Sequence, residues 1–147
     1  MIRIRRIPLV TGIVLALLAS FFFAVPVYVD GSMNRIDRDE AIAVTQRARD
    51  LHATLSIGDL HDDLLLWDRG VMGPSPRGHT DVTRLARGNV AVQVFSTVTK
   101  TPKRQNYERN SADSDSVTLL VMAQRWPRAT WNSLLQRALY QSEKLHK

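Results

Sequence analysis

The sequence predicts a chain of the α/β class preceded by one transmembrane helix. Three observations lead there. The 23 positions from Ile7 to Val29 carry no charged side chain. Beyond them, stretches of helical periodicity alternate with short runs rich in β-branched residues, the order expected of an alternating α/β fold. A His-x-Asp triplet, His61 to Asp63, closes the first of those runs and sets two metal-competent side chains at a strand end.

At about 1.5 Å of rise per residue the apolar span reaches about 34 Å, enough for a hydrocarbon core of about 30 Å. Pro8 falls at its start and Pro26 near its end, and Tyr28 stands where an interfacial aromatic belongs. Arg3, Arg5 and Arg6 precede the span, so the N-terminus is expected in the cytoplasm and the rest of the chain outside it. A cleaved signal peptide is the competing reading, but Phe22-Phe23-Ala24 lacks the small residue a cleavage site needs at −3. A retained single-pass anchor over residues 1–29 is therefore favoured, with residues 7–29 in the membrane.

Residues 30–54 read as a polar joint, Asp30 to Asn34, and a first helix. Ala41, Val44, Ala48 and Leu51 recur at spacings of three and four, which predicts an amphipathic helix over Asp37 to Leu51, with Arg38, Arg47 and Arg49 mostly off the stripe. The α/β part proper follows over residues 55–147. Leu55 to Leu60 is the first strand. Pro74 and Pro76 make Gly70 to Gly78 a loop. Asn89 to Thr99 is the second strand, apolar on both faces as a buried parallel strand would be, and entered through the permissive turn Arg87-Gly88-Asn89. The two strands are expected to be parallel neighbours. After a polar loop, Val117 to Trp126 reads as a short helix stopped by Pro127. Thr130 is the expected cap of a last helix whose stripe of Trp131, Leu134, Leu135, Ala138, Leu139 and Leu145 should face a core.

Composition narrows the function classes. The formal charge of +6 is spread along the chain rather than massed on one stretch, which disfavours a nucleic-acid-binding role. The absence of cysteine excludes disulfides, a thiolate zinc site and a lipidated N-terminal cysteine. On a strand, residues i and i+2 share a face, so His61 and Asp63 should project together with Asp59 behind them. An imidazole nitrogen beside a hard carboxylate oxygen suits zinc. Asp62 and Asp68 read as solvated carboxylates, His79 as a surface histidine and Trp67 as core filling.

Asp59-Leu60-His61-Asp62-Asp63-Leu64 resembles the Asp-Gly-His-Asn-Asp-Leu signature of membrane dipeptidases, the renal dipeptidase-like zinc peptidases. The stretch from His79 to Ser96, with Arg84-Leu85-Ala86-Arg87-Gly88-Asn89-Val90-Ala91-Val92-Gln93 at its centre, is similar to that family's second block. Leu60 stands for the first glycine, Thr83 for a proline and Asn89 for another glycine; none of these changes removes a ligand. The resemblance implies the N-terminal part of a TIM-like (β/α)8 metallohydrolase barrel, with functional groups at the C-terminal ends of its strands. It implies a dipeptide substrate hydrolysed by metal-activated water and two zinc ions in the complete enzyme. His61 and Asp63 would hold one ion, and Asp59 would orient a ligand from behind.

A barrel of this kind usually takes about 250 residues, so the chain is expected to be a truncated N-terminal segment that is inactive alone. A later carboxylate bridging both ions and two later histidines would be missing; Glu108 and Glu143 are the only glutamates beyond the second block. The unburied stripe of the last helix should then favour self-association into a homo-oligomer. The alternative is a non-enzymatic, membrane-anchored module that uses this stripe to bind another protein.

Overall fold

The computed structural model describes residues 6–36 and 42–146; Arg3 and Arg5, and Arg38 and Ala41 of the expected first helix, lie outside them. The apolar segment is helical throughout, as α1 (Arg6–Ala19), a π-helical stretch (Ser20–Ala24) and α2 (Val25–Met33). Pro26 accounts for the irregularity. It has no N–H to give the carbonyl of Phe22 four residues earlier, and its ring crowds that carbonyl. Pro8 to Met33 is long and apolar enough to cross a membrane. The helix also runs further than expected. Asp30, assigned to a polar joint, lies inside α2 and is 3 % exposed. Its carboxylate accepts from Arg77 Nε at 2.9 Å and Asn34 Nδ2 at 2.8 Å, with Arg69 Nε 3.3 Å away. Asn34 just past the helix, and Arg69 and Arg77 from a loop some 40 residues on, let a carboxylate sit in the last turns of an apolar helix without facing water.

The first helix of the α/β part is shorter than periodicity predicted. It is α3 (Gln46–Ala53), and Thr45 caps it by accepting from the Ala48 N–H. Val44 therefore lies outside it. A side-chain cap at Thr45 satisfies a helix donor that the apolar spacing alone does not address. β1 (Ile57–Asp62) and β2 (Val90–Phe95) pair in parallel, Ile57 beside Val90, Asp59 beside Gln93 and Asp62 beside Phe95. The parallel pairing matches the expectation; the limits shift, so that His61 sits within the strand. Between them come a 3-10 turn (Leu64–Leu66), an irregular loop and α4 (Val82–Arg87). Asn89 enters β2 with φ of 56° and donates its side-chain amide to the carbonyls of His52 and Leu55. Asparagine tolerates this left-handed conformation and here also closes the end of α3.

β2 is not the buried strand its apolar pattern predicted. Val92 and Val94 are exposed, and so is Leu60 on β1. Among the described residues the sheet has two strands, and no layer covers these side chains. The core lies beside the sheet instead. Leu66 and Trp67 after β1 pack with Val117 and Val121 of α5 (Val117–Ala123) and with Trp126, flanked by Val29, Val98 and Tyr140. α5 stops at Ala123, short of the expected Trp126. The Trp126 N–H bonds back to Val121 O and the Arg125 N–H to Met122 O, with Arg125 left-handed at φ of 60°. That is the closure glycine usually provides.

The last helix, α6 (Leu134–Leu145), reverses its predicted orientation. Ser133 caps it, not Thr130, so Trp131 falls outside it. Leu134, Leu135, Leu139 and Leu145 are exposed, while Arg137 and Gln141 are 1 % and 0 % exposed. All five guanidinium N–H groups of Arg137 are used: on the carbonyls of Thr130, Trp131 and Thr99, on Asp115 Oδ2 and on Thr118 Oγ1, each at 2.6–2.7 Å. Gln141 exchanges both of its amide groups with the backbone N–H and carbonyl of Val98, each at 3.0 Å. Lys144 Nζ donates to Leu65 O and Trp67 O, and burial pushes its ammonium down to about 8.

Burial raises the Asp115 carboxyl, but hydrogen bonds from Arg137, Thr118 and the backbone of Val117 and Thr101 outweigh it and hold the group at about 2. Replacing Arg137 by Met should lower the unfolding free energy by about 3–5 kcal/mol, because it strands Asp115 and three backbone carbonyls. Asp115 is depressed when folded. Its contribution is thus complete above the ordinary carboxylate range near pH 4 and is lost as pH falls towards about 2. Denaturant titrations of both chains across pH 2–7 check this: the parent should lose the acid-labile increment and Arg137→Met should lack it.

Candidate metal site at the end of the first strand

β1 sets His61 on its last turn of extended backbone, and the chain then bends. Asp62 Oδ1 accepts from the Leu64 N–H at 2.8 Å, which starts the 3-10 turn and swings Asp63 back alongside His61. His61 Nε2 and Asp63 Oδ1 are 3.3 Å apart. Asp63 is thus not on the strand, as the i, i+2 argument assumed, yet the two side chains meet. Both are open to solvent, with side-chain exposures of 73 % and 47 %.

The other imidazole nitrogen has a partner of its own. His61 Nδ1 lies 3.1 Å from Ser96 Oγ. Parallel pairing brings Ser96 there, since its backbone N–H donates to Asp62 O at 2.7 Å as the sheet ends. The Ser96 hydroxyl can give or take a proton, so it can accept from Nδ1–H when Nε2 holds a metal and donate to Nδ1 when Nε2–H bonds to Asp63. Ser96 was not assigned a role from sequence; its signal is its place one residue past the second strand, which matters only once the register is known. Asp59 does not touch the imidazole. Its Oδ1 accepts from the His61 backbone N–H at 3.1 Å. That bond, helped by the Gln93 side chain, holds the Asp59 carboxyl below its ordinary value. Asp59 therefore braces the strand at His61 rather than the ring.

Asp59, His61 and Asp63 share a cleft of about 220 Å³ with Asn34, Asp62, Arg69, His79 and Thr80. Two sequence readings change here. Asp62 is half-buried, and its Oδ2 is shielded from water with no hydrogen-bond partner among the described residues, so it is not a freely solvated carboxylate. His79 is exposed, as expected, but lines this same cleft. Asp68 is exposed and lies 3.7 Å from Arg125, and Trp67 fills the core while one edge reaches the cleft.

The donor set fits part of a zinc site. Zinc–nitrogen and zinc–oxygen bonds of about 2.0–2.2 Å at tetrahedral angles place two ligand atoms about 3.3–3.4 Å apart, the separation found between His61 Nε2 and Asp63 Oδ1. A hydrogen-bond partner on the other ring nitrogen, here the Ser96 hydroxyl, is what orients a ligating histidine. Among the described residues no set of three or more His, Cys, Asp or Glu converges on one point. His61 and Asp63 are therefore two ligands where a catalytic zinc normally takes three.

Zinc added to the chain should shift the ring signals of His61 in NMR spectra. Replacing Ser96 by Ala should weaken that binding about tenfold by freeing the ring, and Asp63→Ala should abolish it; an unchanged titration in Asp63→Ala would mean that His61 binds the ion alone.

Comparison of the chain with protein-family models, curated proteins and solved structures gives no match. His61, Asp63 and Ser96 carry the functional reading through their own chemistry.

Proposed function

We propose that this chain is the N-terminal part of a membrane-anchored, zinc-dependent dipeptidase with a TIM-like (β/α)8 barrel. The observation that carries the reading is the His61–Asp63 pair, 3.3 Å apart at the C-terminal end of a parallel strand, where barrel enzymes keep their reacting groups. Two further points support it. The signature block and the second block resemble those of the membrane dipeptidases in the same order. The two strands they contain are parallel neighbours, as the first strands of such a barrel must be.

In this reading His61 and Asp63 hold one zinc ion, Ser96 orients the histidine's ring and Asp59 braces the backbone beneath it. When bound, the pair of ions supplies Lewis-acid polarisation of a peptide carbonyl and lowers the pKa of a water. The bridging carboxylate and the histidines of the second ion come from further strands. Glu108 lies in an exposed loop and Glu143 on the exposed side of α6, so neither supplies them here. At about 220 Å³ the cleft is also smaller than the usual 300–1,000 Å³ of a ligand site, and the same strands would wall in the dipeptide. The excess of arginine at positions 3, 5 and 6 supports an N-terminus in the cytoplasm and a cleft outside it.

The exposed Leu134, Leu135, Leu139 and Leu145 favour one other reading, an anchored module without enzymatic activity that binds a protein through α6. Dipeptide hydrolysis separates the two. The 147-residue chain with added zinc should show no appreciable turnover. A version extended by downstream coding sequence should gain it and lose at least about a hundredfold on His61→Ala with Asp63→Ala. An extended chain that stays inactive would favour the binding module.

A further inference from the structure

The globular part does not hang free of the apolar helix. Arg125 Nη1 donates to the carbonyl of Phe22 at 2.5 Å, and its guanidinium lies 4.7 Å over the ring of Phe23. The Phe22 carbonyl is the one Pro26 leaves without its helical donor. Arg125 thus completes a helix defect from outside, and it does so from a left-handed backbone, φ of 60°, that ordinarily selects glycine. A residue kept there at a backbone cost points to its side chain. From Phe21 to Met33 the helix also lines an apolar groove against Val117, Leu119 and Leu120. At the level of Phe22 the structure therefore carries Arg125 and its ion-pair partner Asp68, 3.7 Å away and 63 % exposed.

These contacts cannot coexist with a hydrocarbon slab that extends to Val29, because full insertion would draw Arg125 and Asp68 several residues deep into lipid. Breaking the contact instead would leave the Phe22 carbonyl unpaired in hydrocarbon. We propose that the helix leaves the hydrocarbon at Phe22 rather than at Val29, and that Arg125 rests at the level of the phospholipid phosphates and seats the globular part on the bilayer surface. The proposal rests on the membrane-anchored reading and on no enzymatic activity. Ile7 to Phe22 then spans about 24 Å. That falls a few Å short of a bilayer core of about 27–30 Å, a mismatch that local thinning and snorkelling arginines absorb. The apolar outer face left beyond Phe22, with Phe23, Val27 and Tyr28 exposed, lies in the headgroup zone, where aromatic rings are at home. Arginine is suited to the site because, with Nη1 on the Phe22 carbonyl and Nη2 facing Asp68, its further N–H groups still reach water and headgroups.

The chain has no cysteine, so single-cysteine labelling reads depth directly. Leu17→Cys, Val27→Cys, Tyr28→Cys and Ser32→Cys, each in the full chain in phosphatidylcholine–phosphatidylglycerol vesicles opened on both sides, would be treated with a charged maleimide. Val27→Cys and Tyr28→Cys should label within about threefold of Ser32→Cys, and Leu17→Cys at least about tenfold more slowly. Protection of positions 27 and 28 to the level of position 17 would overturn the proposal and leave the anchor intact. Labelling of position 17 as fast as position 32 would overturn the anchor reading as well. Arg125→Gly tests the seat itself, since glycine adopts the left-handed turn without strain and should preserve the helical content. Combined with Asp68→Asn, it should let the helix sink and slow labelling at position 27 about tenfold; unchanged labelling with the fold intact would remove Arg125 from that role.

Discussion

Arg137, Gln141 and Lys144 occupy positions i, i+4 and i+7 of α6, on one face of the helix, and that face points inward. Every donor of the Arg137 guanidinium is engaged, three of them by carbonyls at 2.7 Å from segments that follow β2 or precede α6. Gln141 meets Val98 as a neighbouring strand would, giving and taking one backbone bond. Lys144 takes the carbonyls of Leu65 and Trp67 just past β1. Without these side chains the backbone leaving both strands would have buried groups and no partner, at about 1–3 kcal/mol each. Turning the leucines inward instead would gain about 1.5–3 kcal/mol per side chain and leave that whole set unpaired. With at least six backbone groups against four leucines, the polar face wins the interior. The exposed leucine stripe follows from that choice.

The same choice explains what the sequence could and could not convey. The α6 segment carries two stripes at helical spacing, one of leucines and one of Arg137, Gln141 and Lys144. The general preference for burying leucine selects the wrong one, because unpaired carbonyls elsewhere in the chain leave no mark on the α6 pattern. Parallel pairing of β1 and β2 was legible from their apolar runs and the long segment between them. Burial of β2 was not, since an apolar strand reads as buried whether or not anything covers it, and Val92 and Val94 stay exposed. At the site, His61 and Asp63 were legible as a local pair. Ser96 depends on the register of a partner strand 35 positions away, and Asp62 looked like any surface aspartate until the turn at Leu64 enclosed one of its oxygens.

The cleft and the apolar helix are tied together through Asp30. Arg69 lies against both, ion-paired to Asp30 and lining the cleft that holds His61. Arg77 holds the second oxygen of Asp30, and its own carbonyl accepts from Arg69 Nη1. Gly78 is required where this loop turns. It is left-handed at φ of 79°, and a Cβ there would fall 1.7 Å from the Arg69 guanidinium. Any side chain at position 78 would force the Arg69 guanidinium, which serves both Asp30 and the cleft wall, to shift. His79 and Thr80 follow directly and also line the cleft. The spacing between helix and site is therefore set by buried charge, not by a flexible linker.

That coupling also fixes where the cleft that holds His61 opens. Asn34, the first residue past α2, bonds to Asp30 and also lines the cleft. The cleft thus opens beside the end of the apolar helix. Its lining sets Asp59, Asp62, Asp63, His61, His79, Thr80 and Asn34 beside Leu64 and Trp67, polar and apolar surface in near-equal measure. The apolar groove between Phe21 and Met33 is also lined by Trp67 and Leu66. Trp67, buried in the core, is thus shared by the groove that meets the helix and the cleft that holds His61.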